Sequence, residues 1–144
     1  MHPKEDLWLE GLRQGRAMRF RPLGCSMIPF LRQGDVVTIM PAPGRVGDIV
    51  LTQPGPDQVL HRLVARCGDR LITKGDALHF FDPPIARRQV LGRACSRDRH
   101  GKISRLDSLA ARLCGLAFCL TLSFSPRVTP ILVKMKSLLQ PGRP

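Results

Sequence analysis

Short runs of apolar and β-branched residues alternate with turn residues over most of the first two thirds of the chain. Each run has the length of a strand and is bounded by Gly, Pro or Asp, which favour turns. The runs are VVTIM (36–40), DIVLTQ (48–53), QVLHRLVAR (58–66), RLITK (70–74) and QVLGRA (89–94). Five short strands at this spacing predict a compact, mainly β body.

A helical pattern precedes this β body. Residues 3–14 start with proline and carry two acidic side chains in the first turn, both of which favour a helix start. Leu7, Trp8 and Leu12 fall on one face of that helix. We therefore expect a short N-terminal helix.

A second helical pattern follows the β body. Between Leu106 and Leu120, leucines recur at spacings of three and four, and the opposite face is apolar as well. A helix that is apolar nearly all round is expected to be deeply buried. The predicted organisation is an N-terminal helical segment (1–17), a β domain (18–96) and a basic, apolar, helical C-terminal segment (97–144).

Positive charge is concentrated in this last segment. The 144 residues include 23 Lys and Arg against 11 Asp and Glu, a net charge of +12. Residues 97–144 hold nine basic and two acidic side chains, which gives +7 of that total. Such a segment suits an anionic surface, or it serves only to keep the protein soluble. Because only 5% of the residues are aromatic and none is Tyr, there are few side chains on which nucleic-acid bases could stack. No specific nucleic-acid partner is therefore expected.

The C-terminal segment allows three arrangements. The uncharged run 113–126 has 14 residues, fewer than the roughly 18 to 20 that span a bilayer. A basic amphipathic run follows at 131–139. Residues 106–139 are thus expected to pack as a helical hairpin on the β body or a partner, or to lie on an anionic membrane surface, with a true span least favoured. The N-terminus has neither a secretory signal nor an apolar anchor, which predicts a location on the cytoplasmic side, free or membrane-associated.

Cysteine and histidine spacing indicates no cofactor. The five cysteines are odd in number and include no CxxC pair, and the four histidines are scattered. We therefore expect no metal site and no disulfide framework. Cys25 is expected to be a small buried residue.

A serine in a turn is the first candidate for chemistry. Ser26 lies two residues after Gly24 and three before Pro29, a turn in which backbone donors can point at a bound carbonyl oxygen. Alone, such a serine is far more often structural than catalytic. Among the histidines, only His61 lies within a clear strand pattern, where a rigid neighbour could hold it against a nucleophile.

The stretch GCSMIPFLRQGDVV (24–37) resembles the nucleophile box of type I signal peptidases and of LexA-type self-cleaving proteases. In that superfamily Ser-Met-x-Pro is followed by Gly-Asp and a strand. Three further boxes follow in the order of the family: GDIV (47–50), VLHRLV (59–64), and TKGD (73–76) with Asp82 after it. Four boxes in register, covering about residues 18–94, indicate a signal-peptidase-like β body. His61 followed by Arg62 resembles the endoplasmic-reticulum, archaeal and sporulation-type branch, whereas other branches have Lys in place of the histidine.

The resemblance implies a serine endopeptidase that hydrolyses a peptide bond of a protein precursor through an acyl-enzyme. It makes Ser26 the nucleophile, His61 the general base and Asp82 the carboxylate that supports the base. An imidazole titrates near neutral pH, so it can accept the serine proton and return it to the leaving amine. Asp76 matches a supporting acidic position. The other residues that match the nucleophile box are Gly24, Met27 and Pro29.

The chain departs from the family in two places near this site. Gly24 stands where many members have a serine that helps bind the oxyanion. Binding of the oxyanion would then rest on the Ser26 backbone donor, with either weaker catalysis or a different second donor. Ala77 and Leu78 replace the asparagines common after Gly-Asp in the histidine branch.

Two other functions stay open. A LexA-like self-cleaving regulator would suit the basic charge, but 25 residues before Ser26 are too few for a helix-turn-helix domain, and the Lys of that group is absent. A degenerate module that grips a peptide without cutting it is disfavoured because Ser26, His61 and Asp82 are all retained.

Overall fold

The computed structural model describes residues 3–121, and the predicted amphipathic run 131–139 lies outside them. The chain begins with helix α1 and ends, within this range, with helix α2. The elements in order are α1 (Pro3–Arg13), β1 (Met18–Phe20), β2 (Val36–Met40), β3 (Ile49–Thr52), β4 (Val59–Cys67), β5 (Arg70–Lys74), β6 (Ile85–Ala86), a 3₁₀ turn (Arg87–Gln89), β7 (Val90–Arg99), β8 (Lys102–Arg105) and α2 (Leu109–Thr121).

All described strands belong to one curled antiparallel sheet, so the predicted mainly β class is confirmed. The strand order is β1-β2-β7-β3-β4-β5-β6, with β8 paired to β7 outside this path. The predicted strands correspond to β2, β3, β4, β5 and β7. The unpredicted strands β1, β6 and β8 have two to four residues each, too few to show an alternating pattern.

Strand β7 joins the two halves of the sheet. Along one edge it pairs with β2, and along the other it pairs first with β3 and then with β8. Because β7 runs to Arg99, the sheet continues beyond the predicted boundary at 96/97. The C-terminal helix therefore begins only at Leu109, after the β7–β8 hairpin.

The main hydrophobic core lies between the sheet, helix α1 and the loop that carries Ser26. Strands with buried apolar side chains meet there because antiparallel strands place alternate residues on one face. Its buried members are Leu12, Met27, Leu31, Val37, Ile39, Ile49, Leu51, Leu60, Ala94 and Leu106. Met27 and Leu31 bracket the loop after Ser26, so the loop is anchored by hydrophobic burial on both sides.

Helix α1 packs through a narrower face than predicted. Leu12 is buried and Trp8, one turn earlier, is half-buried with its ring 5.7 Å from that of Phe20. The Trp8 indole N–H donates to the Arg19 carbonyl at 2.8 Å, which ties the helix to β1. Leu7 is exposed instead, because it lies on the far side of this short helix.

Helix α2 is much less buried than the sequence predicts. Its buried residues are Gly115 and Cys119, whereas Leu109 and Leu113 are 66% and 58% exposed. The helix lies on the outside of the sheet, so only one side of it is covered by the described residues. The expectation of deep burial on all sides is therefore wrong.

Candidate active site

Ser26 lies in the long loop between β1 and β2, and this loop is held from several directions. The buried Met27 side chain anchors it to the core, and the Leu31 N–H donates to the Met27 carbonyl at 2.9 Å. The Ser26 carbonyl accepts a hydrogen bond from the Ala77 N–H, also at 2.9 Å. Within the described residues the Ser26 N–H donates to no other group, so it is available to a bound oxygen.

His61 lies on β4, in the middle of the sheet. It is paired with Val50 of β3 and is buried except for 8% of its surface, so the backbone and the packing both fix its ring. The distance from His61 Nε2 to Ser26 Oγ is 3.2 Å, within the range at which a base takes a hydroxyl proton. The structure thus brings the predicted nucleophile and base together.

Asp82 completes the line of side chains from the other side of the histidine. Its Oδ2 is 2.6 Å from His61 Nδ1. Since a carboxylate only accepts, Nδ1 carries the proton of the neutral ring, and Nε2 is left to accept from the Ser26 hydroxyl. This is the arrangement in which a serine-histidine pair is activated and its tautomer fixed.

Thr73 holds the Asp82 carboxylate, a contact that the sequence reading missed. The Thr73 hydroxyl donates to Asp82 Oδ2 at 2.7 Å, and the Asp82 N–H donates to the Thr73 carbonyl at 2.9 Å. Asp82 is therefore more than the turn residue before two prolines. The only sequence signal for Thr73 is its place as the first residue of the fourth matched box, TKGD.

Asp76, predicted as a supporting carboxylate, forms a buried ion pair with Arg62. Arg62 Nε and Nη2 donate to its two oxygens at 2.8 and 2.6 Å, and both side chains are at most 1% exposed. Arg62 Nη1 also donates to the Gly47 carbonyl at 2.7 Å, and its guanidinium lies 4.9 Å from the centre of the Phe30 ring. The pair is therefore fully hydrogen-bonded, as buried charges must be.

This ion pair supports the Ser26 loop. The Asp76 N–H lies 3.5 Å from Met27 Sδ, and the next residue, Ala77, donates to the Ser26 carbonyl. Phe30, over which Arg62 is stacked, belongs to the same loop. Asp76 thus helps to hold the loop that carries Ser26, the candidate nucleophile, without touching Ser26 Oγ.

Helix α2 covers the ion pair from outside. Gly115 packs on the Arg62 guanidinium, and the Phe118 ring lies 5.6 Å from that of Phe30 in an edge-to-face arrangement. Cys119 contacts Lys74, whose ammonium is fully buried and also donates to the Gly75 carbonyl at 3.1 Å. Burial raises the pKa of the Cys119 thiol to about 11, so this cysteine stays protonated at neutral pH.

The remaining residues of the nucleophile box shape the approach to Ser26. Gly24 has φ +82°, a left-handed conformation that side chains rarely adopt, although a Cβ there would meet no atom within 4 Å. A serine at this position would therefore be strained by the backbone, although there is space for its side chain. Pro29 is exposed and follows a cis peptide bond. Cys25 is exposed, so its predicted burial is wrong; its side chain leaves the loop on the solvent side.

A cleft of about 240 Å³ opens beside Ser26 and His61. Its wall is mainly apolar, and its polar side chains other than the two catalytic candidates are Arg32 and Gln58. The apolar lining residues are Phe20, Pro22, Leu23, Met27, Leu31, Val59 and Leu60, together with Gly24. A concave, mainly apolar surface with a few polar groups is the usual form of a small-ligand or substrate site.

Among residues 3–121, no group of three or more His, Cys, Asp or Glu side chains is placed to hold a metal ion. Neither of the two described helices is long and apolar enough to cross a membrane. Comparisons of the chain with protein-family models, with curated proteins and with solved structures find no match.

Proposed function

We propose that this chain is a serine endopeptidase of the signal-peptidase-like histidine branch. The observation that carries the proposal is the hydrogen-bonded line from Ser26 through His61 to Asp82, with distances of 3.2 and 2.6 Å. Three residues that are 35 and 21 positions apart in sequence meet in the order needed for nucleophilic catalysis. The cleft beside them supplies space for a peptide.

In the first half of the reaction, Ser26 Oγ attacks the carbonyl carbon of the scissile peptide bond. His61 Nε2 takes the hydroxyl proton as the bond forms, and the Asp82 carboxylate stabilises the imidazolium through Nδ1. The Ser26 N–H is free to donate to the oxyanion. When the C–N bond breaks, His61 returns the proton to the leaving amine, and an acyl-enzyme remains on Ser26.

In the second half, a water molecule enters the place of the amine. His61 takes a proton from that water, and the resulting hydroxide attacks the acyl carbon. The ester bond to Ser26 breaks, and the proton on His61 passes to the serine oxygen. A carboxylic acid leaves, and the site returns to its starting state.

The experiment that tests this function is cleavage of a tryptic peptide library by the purified full chain, read by mass spectrometry. We expect new peptide termini with the parent chain and none with Ser26→Ala. Cys25→Ala is the matched control, because it changes the exposed neighbour that is the alternative nucleophile and should keep the activity. Equal cleavage by the parent chain and Ser26→Ala would refute the proposal.

The same samples distinguish the self-cleaving alternative. A LexA-like regulator would shorten its own chain at a defined bond while leaving library peptides intact. A binding module would do neither. The intact mass of the chain after incubation, together with the library peptides, therefore distinguishes the three functions.

We also propose that the outer side of α2 contacts a membrane surface. The exposed leucines at 109 and 113 form an apolar strip that the described residues leave uncovered. Arg112, on the same helix, is not available to lipid headgroups, because its guanidinium donates to the Val46 carbonyl at 2.8 Å and pairs with Asp48 at 3.3 Å. Within the described part of α2, hydrophobic contact rather than charge would therefore drive this binding.

A further inference from the structure

The cleft beside Ser26 contains a positive charge that the described residues do not neutralise. Arg32 lines the cleft together with Ser26 and His61. Its backbone N–H donates to Asp35 Oδ2 at 2.8 Å, which fixes the chain at this point. Within residues 3–121, its guanidinium forms neither a hydrogen bond nor an ion pair with any side chain or carbonyl. The backbone of Arg32 is thus held in place while its charged group is available to a ligand.

Asp35, just before β2, and Asp98, opposite Val36 on β7, are both already engaged. Asp35 accepts two hydrogen bonds of 2.8 Å from Arg99, and this contact holds the pKa of Asp35 below its usual value. Asp98 Oδ2 lies 3.6 Å from Arg19 Nη2, and its Oδ1 accepts from the Gly101 N–H at 2.9 Å. Neither is free to pair with Arg32.

A second arginine adds to the excess of positive charge. Arg97 donates to the Phe30 carbonyl and, at 3.4 Å, to the Ser104 hydroxyl, but to no carboxylate among the described residues. Burial, with the nearby charges of Arg99 and Arg32, lowers the pKa of Arg97. Three arginines (32, 97 and 99) against one aspartate (35) give this group a net charge of +2.

The wall of the cleft strengthens the effect of this charge. Most of the lining residues are apolar, and none of those described is Asp or Glu. Charge interactions are stronger beside an apolar wall than in open water, and a guanidinium binds a carboxylate with two parallel hydrogen bonds. The ligand that fits the unpaired charge of Arg32 is therefore a carboxylate.

We infer that the substrate presents an acidic side chain, Asp or Glu, to Arg32 close to the scissile bond. This inference rests on the proposed peptidase function. It adds a preference for acidic substrates, which Ser26, His61 and Asp82 alone do not give. An extended peptide advances about 3.3 Å per residue. A cleft of this size therefore accepts only the few residues nearest the bond that is cut.

The test is the amino-acid frequency at each position around the cuts made in a tryptic peptide library, which retains Asp and Glu. The parent chain should enrich acidic residues at one fixed position. Arg32→Gln should lose this enrichment. Because Arg32 is exposed, kcat/KM on a synthetic peptide carrying the preferred residue should fall by at most about fivefold, the upper end of what an exposed ion pair contributes. Tryptic peptides carry Lys and Arg only at their C-termini, so Arg32→Glu is assayed on synthetic peptides. It should cleave a peptide with Lys or Arg at the same position faster than the acidic one, which also shows that the variant is folded and active.

Arg88→Gln is the matched control, because it removes the same charge from an exposed position that does not line the cleft. It should keep the acidic preference of the parent chain. Cleavage without acidic enrichment, or with the same enrichment in Arg32→Gln, would overturn the inference while leaving the peptidase proposal intact. Cuts at a fixed distance from peptide C-termini would show that Arg32 binds the terminal carboxylate, and they would overturn the side-chain assignment. Absence of both cleavage and reaction of Ser26 with a fluorophosphonate would overturn the peptidase proposal and this inference with it.

Discussion

Substitution of Gly115 by alanine tests whether α2 packs against Arg62 of the sheet as one folded unit. A Cβ at this position would lie 2.5 Å from Arg62 Nη2 and closer still to Arg62 Cζ. A flexible arginine would move aside at little cost. Here Arg62 is held by three hydrogen bonds of 2.6 to 2.8 Å and stacks on Phe30, so moving it aside would break these contacts.

Two effects of opposite sign decide the outcome of this substitution. Alanine has a higher helix propensity than glycine, which would stabilise the protein by about 1 kcal/mol if the space were open. Overpacking a filled interior costs about 1–3 kcal/mol, and breaking a buried ion pair costs about 3–5 kcal/mol. Because the added methyl must displace Arg62 from Asp76, we expect a net loss of about 2 kcal/mol or more.

Urea unfolding followed by circular dichroism measures this loss directly. The control is Ala117→Gly, at an exposed position of the same helix, which should cost about 1 kcal/mol through propensity alone. If Gly115→Ala were more stable than the parent chain, α2 would not lie on Arg62 as described. Peptide cleavage by the folded fraction of Gly115→Ala should fall as well, because Arg62 and Asp76 support the Ser26 loop.

Three further predictions concern the site, the sheet and the helix surface. Asp82→Asn should lower the maximal rate of peptide cleavage by up to about 10⁴, because an amide cannot fix the same tautomer of His61. A rate within about threefold of the parent would show that Asp82 only forms the turn. The hydrogen bonds from Arg99 lower the pKa of Asp35. The Arg99–Asp35 pair therefore stabilises the folded state fully above about pH 3.8, the ordinary pKa of Asp, and this stabilisation is lost as the pH falls through the lowered pKa of Asp35. Arg99→Gln should therefore cost about 1.5–3 kcal/mol in urea unfolding at pH 6–7 and progressively less below about pH 3.8, whereas an equal loss at every pH would contradict this linkage. Glutamate in place of Leu109 and Leu113 should weaken co-sedimentation with lipid vesicles by about tenfold per leucine, and equal binding would rule out the outer side of α2 as the contact.

The sequence predicts the sheet better than the helices. Strands such as β2 and β5 carry β-branched residues between Gly, Pro and Asp turns, so local pattern and tertiary structure agree. The apolar pattern of α2 predicts only that it is a helix. The side that is buried depends on Arg62 and Asp76 beneath it, and no local pattern shows which residues of the sheet will lie there.

The arrangement of the candidate site is likewise not predictable from the local sequence pattern. Motif resemblance names Ser26, His61 and Asp82, but their contact depends on the pairing of β3 with β4 and on the turn after β5. The role of Thr73 follows only from that geometry, since a threonine in a strand is ordinary. The preference that we assign to Arg32 depends on which carboxylates other arginines already bind, and this is a property of the folded structure.

Reaction of the purified full chain with a fluorophosphonate, followed by intact mass and peptide mapping, tests the central claim most directly. We expect a single adduct on Ser26, the same adduct in Cys25→Ala, none in Ser26→Ala, and labelling slowed by about 10² or more in His61→Ala, because the hydroxyl loses its base. An adduct on another residue, or unchanged labelling in His61→Ala, would show that Ser26 and His61 do not work together as nucleophile and base.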